Sequence, residues 1–227
     1  MELKATSVSK RFMRKSGEAN YFEAVRPCDM CLRGGEVTVL MGRSGSGKTT
    51  LMTMLAGLLT PSTGNVKLDG RDIYALSDRE LSFIRASRFA VLPQGTGAIG
   101  SLTAMENILL PVSLAGKNAD ADLKKRISFL MEALGISQIE NAFPKELSGG
   151  ELRRMAIVRA LCLSPDFIFA DEPTGDLDDE NTRTVLSLLK DEATRGAAVM
   201  MVSHEQEAAR FADRLFYMNA GELSLRQ

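Results

Sequence analysis

The sequence predicts an α/β fold, a mostly parallel sheet with helices on both faces and an all-helical segment inserted into it. Two observations carry this. Short apolar runs of strand length, such as VTVLM, FIFAD and AAVMMV, alternate along the chain with longer runs of helical periodicity. Between about Leu102 and Leu147 the strand pattern stops and only helical patterning remains.

Taken in order, CDMCLRGG reads as extended chain, and residues 36–41 (EVTVLM) as a buried strand. Residues 48–59 (KTTLMTMLAGLL) read as a helix stopped by Pro61. NVKLDGRDI is strand and turn, and SRFAVL another strand. ADADLKKRISFLMEAL is an amphipathic helix ending at Gly135. ELRRMAIVRALCL is helical until Pro165 breaks it before FIFAD. DDENTRTVLSLLKDEATR is a capped helix ending at Gly196, followed by the strand AAVMMV. A short helix, EQEAARFAD, and a strand, RLFYM, complete the pattern, and no repeat or heptad run occurs.

Bulk properties narrow the function. A chain of 227 residues fits one domain, or a domain with a subdomain. A net charge of −1 leaves no electrostatic footprint for nucleic acid or an anionic membrane. The start, MELKATSVSKRF, lacks the apolar run of a signal peptide. No stretch approaches the ~20 apolar residues that span a bilayer. The expectation is a protein without a membrane span, whose membrane role is borrowed from a partner. Cys28 and Cys31 form a C-x-x-C, but in extended chain positions three apart face opposite ways. With one histidine and no second cysteine pair, neither a zinc nor a redox centre is expected.

The chemistry lies in four short stretches. GRSGSGKTT has the form Gly42-x-x-x-x-Gly47-Lys48-Thr49, directly after a strand and before a helix. Its glycines let the loop wrap so that consecutive N–H groups face inward on an anion, and the helix start adds its positive dipole end. Lys48 would then reach the β- and γ-phosphates, and the Thr49 hydroxyl would ligate Mg²⁺. DFIFADE ends a buried strand in two carboxylates. Asp171, at the strand tip, is placed to hold the metal, and Glu172 to polarise an attacking water. LSGGELRR puts Ser148, Gly149 and Gly150 at a second helix start, with no lysine motif of its own. Alone this is a cap and turn; beside a complete nucleotide site it invites pairing with a second copy. The only histidine, His204, follows the strand AAVMMV.

GRSGSGKTT, LPQ, LSGGE, FIFADEPTGDLD and VSHE, in this order along essentially the whole chain, are similar to the motifs of ATP-binding cassette (ABC) ATPases. LTAMENILLPVSLAGK, LSGGELRRMAIVRAL and ADEPTGDLD resemble most the ATP-binding subunits of lipoprotein-release, macrolide-export and cell-division systems. The resemblance implies a P-loop NTPase (RecA-like) core with a small antiparallel β subdomain and an inserted α-helical subdomain. The expected bounds are 1–98 and 152–227 for the core and 99–151 for the helical part. It implies ATP and Mg²⁺ as cofactors, with Gly42, Arg43, Ser44, Gly45, Ser46, Gly47, Lys48, Thr49 and Thr50 around the phosphates. Phe12 matches the aromatic stacked on adenine, with Tyr21 and Phe22 as alternatives. Gln94 matches the glutamine that senses Mg²⁺ and the lytic water. Ser148, Gly149, Gly150 and Glu151 match the signature turn that closes over the partner's γ-phosphate. Asp176 and Asp178 match the loop linking the two sites of the dimer, and His204 the switch histidine that would donate to the developing charge.

The implied assembly is a homodimer, closed by ATP, that drives an integral membrane permease from the cytoplasmic face. Transmembrane signalling without substrate transport stands as the second reading. Three departures from the family pattern occur: the small-residue loop GTGAIG after Gln94, Glu151 where glutamine is commoner, and Asp176 where a small or amide residue is typical.

Overall fold

A computed structural model describes residues 1–13 and 21–226. Two sheets build the fold. In the smaller, β1 (Glu2–Met13) pairs antiparallel with β2 (Tyr21–Arg33) on one side. On its other side β1 pairs with β4 (Thr63–Leu68), which carries the short β5 (Arg71–Asp72) at the edge. This sheet is the antiparallel β subdomain. Leu3, Ala5, Met30, Leu32, Val66 and Leu68 are all buried on its inner face, as period-two alternation requires.

The larger sheet is built from β3 (Val37–Met41), β6 (Phe89–Leu92), β7 (Phe167–Asp171), β8 (Ala198–Ser203), β9 (Arg214–Asn219) and β10 (Glu222–Arg226). Its order is β10-β9-β3-β8-β7-β6, parallel throughout except for the edge hairpin of β9 and β10. The central strands are almost wholly apolar because both faces are covered, Thr38 and the strand-end Asp171 and Ser203 being the polar exceptions. Leu40, Phe167, Phe169, Met200 and Val202 pack toward α1 (Lys48–Leu55) and the small sheet. Val39, Met41, Ile168, Ala170, Val199 and Met201 pack toward the opposite face. There they meet α5 (Gly149–Leu161) and α6 (Asp179–Thr194). Phe89 stands edge-on to both Phe167 and Phe169, with ring centroids 5.4 Å apart in each pair.

Between β6 and β7 only helices occur among the described residues: α3 (Ala104–Leu114), α4 (Ala121–Ala133) and α5, with two single 3₁₀ turns. Helix α3 starts with a capping box in which Thr103 and Glu106 satisfy each other's backbone N–H groups. Among the described residues, no helix is long and apolar enough to cross a membrane.

Two details differ from the sequence expectation. Helix α1 stops at Leu55, four residues early, because Gly57 takes a left-handed φ of 69° and the N–H groups of Leu58 and Leu59 turn back to the Thr53 carbonyl. Residues 78–88, which carry no helical stripe in the sequence, form α2 (Asp78–Arg88), opened by a Ser77–Glu80 capping box. Its only buried residue is Leu81, so almost no apolar periodicity marks it. The two cysteines of the C-x-x-C meet different partners, the Cys28 thiol approaching the Val8 carbonyl and Cys31 the Glu2 carboxylate. Burial pushes the Cys28 thiol up to about 11, far from a reactive thiolate.

Candidate active site

Parallel strands bring their carboxyl ends to one edge, and the site is assembled there. Met41 pairs with Ser203 and Asp171 with Val202, so the loops after β3, β7 and β8 emerge side by side. The first of these wraps from Gly42 to Gly47 and feeds α1. Gly47 caps that helix at φ 106°, and a Cβ there would stand 2.2 Å from the Ala24 carbonyl oxygen. At Gly42 a Cβ would meet the Met218 carbonyl at the same distance. At Gly45, φ 74°, it would meet nothing within 4 Å, so that glycine faces open space. Glycine at 42 and 47 lets the loop lie against its neighbours, while 45 lines the concavity.

Lys48 is buried and folds back over the loop, its Nζ donating to the Gly42 carbonyl at 2.7 Å and the Arg43 carbonyl at 3.0 Å. One of its three N–H groups is left to face a ligand. Beside it the Thr49 hydroxyl donates to Asp171 Oδ2 at 2.7 Å. Burial raises the Asp171 carboxyl above its ordinary range, against the pull of the Thr49 hydrogen bond.

Glu172 departs from the strand. Its φ of 49° is left-handed, which turns the side chain toward His204; His204 Nδ1 lies 2.9 Å from Glu172 Oε1. That hydrogen bond and the carboxylate's charge raise the imidazole above its ordinary value. Glu172 Oε2 is buried and has no protein partner.

These groups share one cavity of about 590 Å³. Lys48, Thr49, Gln94, Asp171, Glu172 and His204 stand along it, together with residues 43–47 and Thr50. Phe12, Phe22 and Ala24 complete its lining. Phe12 and Phe22 are cross-strand partners. Tyr21 pairs with Met13 instead, does not line the cavity, and is 65% exposed. Aromatic rings and a glycine-rich loop with a lysine, lining one cavity, suit a base joined to a phosphate chain. The Thr49 hydroxyl and Asp171 carboxylate, hard oxygen donors in contact beneath that loop, are a donor set that fits Mg²⁺ completed by phosphate oxygens.

Ser148, Gly149, Gly150 and Glu151 do not line this cavity. Ser148 caps α5: its N–H and hydroxyl both donate to Glu151 Oε2, at 2.9 and 2.7 Å, and its oxygen accepts from the Glu151 N–H. The Glu151 carboxylate is thus engaged in the cap, and Ser148 holds it below the usual carboxylate range. Gly149 is open, whereas Gly150 lies against Leu177 and the Asp176 carbonyl, making one surface of the turn and the 176–177 loop. Asp178 is occupied as the N-cap of α6.

Sequence reasoning missed two contributors. Arg153, in a helix and next to Arg154, reads as a solvated charge, yet it is buried among the carbonyls behind Asp171 and Gln94. Glu205, beside the histidine, accepts from the Thr174 hydroxyl at 2.7 Å and ties the loop after β7 to the one after β8.

Residues 25–175 match the family described as ABC transporter. An uncharacterised ABC transporter ATP-binding protein of Methanocaldococcus jannaschii is 38% identical over 207 residues, 91% of this chain and 92% of that protein. The lipoprotein-releasing system ATP-binding protein LolD of Aquifex aeolicus is 36% identical over 202 residues, covering 89% of this chain and 90% of LolD. The macrolide export ATP-binding/permease protein MacB of Chlorobaculum tepidum is 36% identical over 96% of this chain, which spans 33% of that longer protein. Among solved structures, the dimeric ABC transporter cassette MJ0796 superposes with a TM-score of 0.89 at 31% identity, over 99% of both chains. The same cassette has been solved in a post-hydrolysis state bound to ADP and Pi, with the same TM-score. By motif order, fold and similarity over nearly its full length, the chain belongs to the ABC transporter family and is one of its ATP-binding ATPase subunits.

Proposed function

We propose that two copies of this chain close head-to-tail on two ATP molecules, open on hydrolysis, and pass that motion to an integral membrane permease. One observation carries the reading. The phosphate cavity and the Glu172–His204 pair are assembled within one chain, while the Ser148–Gly150 turn does not line that cavity and Gly149 stands open, free to serve another.

The roles follow from the chemistry. The N–H groups of residues 43–49 and the Lys48 ammonium hold the β- and γ-phosphates. Phe12, with Phe22 beside it, takes the adenine. Thr49 and Asp171, with Gln94 nearby, are the residues to hold Mg²⁺, which when bound neutralises phosphate charge. Glu172 orients water and accepts its proton through Oε2, the buried oxygen without a protein partner. His204 steadies Oε1 of that carboxylate and presents its other ring nitrogen to the γ-phosphate. Little covalent work remains, because phosphoryl transfer is mostly positioning and charge neutralisation.

Residues 99–151 form the helical subdomain that swings the signature turn onto the partner's nucleotide. The permease seats near Gln94 and the helical insertion, where an apolar groove of about 360 Å³ is lined by Val91, Leu110, Leu114 and Leu163. The chain would therefore sit on the cytoplasmic face of the membrane through its permease.

The test is Glu172→Gln. The amide keeps the shape, so ATP binding is retained, while loss of the base lowers turnover by about 10²–10⁴-fold. ATP should then trap a dimer, seen by size-exclusion chromatography with light scattering. Undiminished phosphate release would reject Glu172 as the base; a monomer at saturating ATP, alone and with its permease, would reject the shared site.

A further inference from the structure

Arg153 and Arg154 are neighbours on α5 and behave oppositely. Arg154 reaches sideways to the Asn181 amide oxygen. Arg153 is 3% exposed and turns into the protein. Its Nε donates to the Pro173 carbonyl at 3.1 Å. Its Nη1 donates to the carbonyls of Pro93 at 2.6 Å and Gln94 at 3.1 Å. Its Nη2 donates to those of Asp171 at 2.8 Å and Glu172 at 2.5 Å. A guanidinium has five N–H donors in a rigid fork, and here each one ends on a backbone carbonyl.

Those carbonyls belong to the segments that follow two paired strands, β6 and β7, whose ladder ends at Leu92 and Ala170. One is the turn bearing Gln94; the other is the strand end bearing Asp171 and Glu172. The second is strained, since Glu172 holds a left-handed φ that a non-glycine residue keeps only where its surroundings over-determine it. The restraints on its peptide groups are the Val202 carbonyl, the Gly175 N–H and Arg153. The loop after Gln94, GTGAIG, has few side chains with which to fix itself. It is held the same way, by Arg159 of α5 donating to the carbonyls of Thr96 and Gly97.

We infer that Arg153 is a positioning residue that locks the strained Glu172 backbone and the Gln94 turn to the signature helix. Closure of Ser148–Gly150 over the partner's nucleotide is thereby transmitted to the hydrolytic site of the same subunit. The inference rests on the head-to-tail dimer proposed above. Charge alone would not suffice for this role: a lysine has three donors, so at least two of the five carbonyls would lose their partner.

The experiment compares Arg153→Lys and Arg153→Met with the parent in the full chain. It measures melting temperature, Kd for a fluorescent ATP analogue, and kcat and KM for ATP hydrolysis. Misplacing a catalytic group by about 1 Å costs about 10²-fold. R153M should therefore lose about 10²-fold in kcat with Kd changed less than about 3-fold, and R153K should recover part of that loss. In the E172Q background R153M should still dimerise on ATP, because its clamp is intact. Parent-like kcat in R153M, or a kcat loss that merely follows lost nucleotide affinity or lost folded protein, would overturn the inference. Should R153M not fold, R153K decides: a fall in kcat at unchanged Kd supports the lock, and parent-like kcat overturns it. If E172Q alone stays monomeric with ATP, the dimer reading fails, an outcome distinct from a parent-like kcat in R153M.

Discussion

Replacing Gly47 with alanine asks whether the phosphate loop depends on backbone-to-backbone contact with the small sheet. The added Cβ would lie 2.2 Å from the Ala24 carbonyl oxygen, about 0.8 Å inside the 3.0 Å below which such contacts essentially do not occur. The obstacle is backbone of β2, so no side-chain rotation relieves it. At φ 106° an alanine also pays conformational strain of roughly 1–3 kcal/mol. Overpacking adds about 1–3 kcal/mol, for a total near 2–6 kcal/mol. For a chain of this size that lowers Tm by roughly 10 °C. A loop moved by most of an ångström also misplaces its N–H groups, and ATP affinity should fall by at least about tenfold. Gly45→Ala is the control for stability: it carries the left-handed strain but meets nothing within 4 Å, so its Tm should fall less. Thermal melts and titration with a fluorescent ATP analogue read both effects. If G47A melts with G45A and binds nucleotide like the parent, close packing of the loop on β2 is not what sets its shape.

Other outcomes follow from the same geometry. Phe12→Ala and Phe22→Ala should each weaken nucleotide binding, by about 1–2 kcal/mol if the ring stacks on the base, while Tyr21→Ala should not, because Tyr21 stands outside the cavity. Equal losses in all three titrations would place the base elsewhere. Acid stability should carry the mark of the capping boxes. Hydrogen bonds from Ser77, with Arg71 alongside, hold the Glu80 carboxyl at about 2, below its model-peptide value of 4.5. A depressed carboxylate stabilises the fold above the unfolded value and loses that contribution as pH falls through the folded one. The Tm difference between the parent and Glu80→Gln should therefore be full near neutrality and shrink between pH 4.5 and about 2. A constant difference across that range would show the carboxylate's ionisation to be irrelevant.

Several parts of this protein are legible in its sequence. VTVLM, FIFAD and AAVMMV are apolar at all but two positions, Thr38 and Asp171, because both of their faces are covered, and that double burial is written into composition. The phosphate loop was legible because its work is done by backbone N–H groups, whose placement follows from glycine spacing. Asp171 and His204 followed from being the residues at or just after a strand tip on the shared edge. Elsewhere the pattern was silent. Strand β1 is broken by register shifts and a left-handed Ser7, which spoil its alternation, and α2 buries too little to show a stripe. Cross-strand register, a long-range property, put Phe22 rather than Tyr21 beside Phe12. The contact of Glu172 with His204 needs a backbone turn that propensity disfavours, and the role of Arg153 needs five carbonyls from two distant segments. Local chemistry, repeated at fixed spacing, is encoded residue by residue. A strained peptide, or a charge buried without a carboxylate partner, persists only where remote segments converge on it, and that convergence exists only in the folded chain.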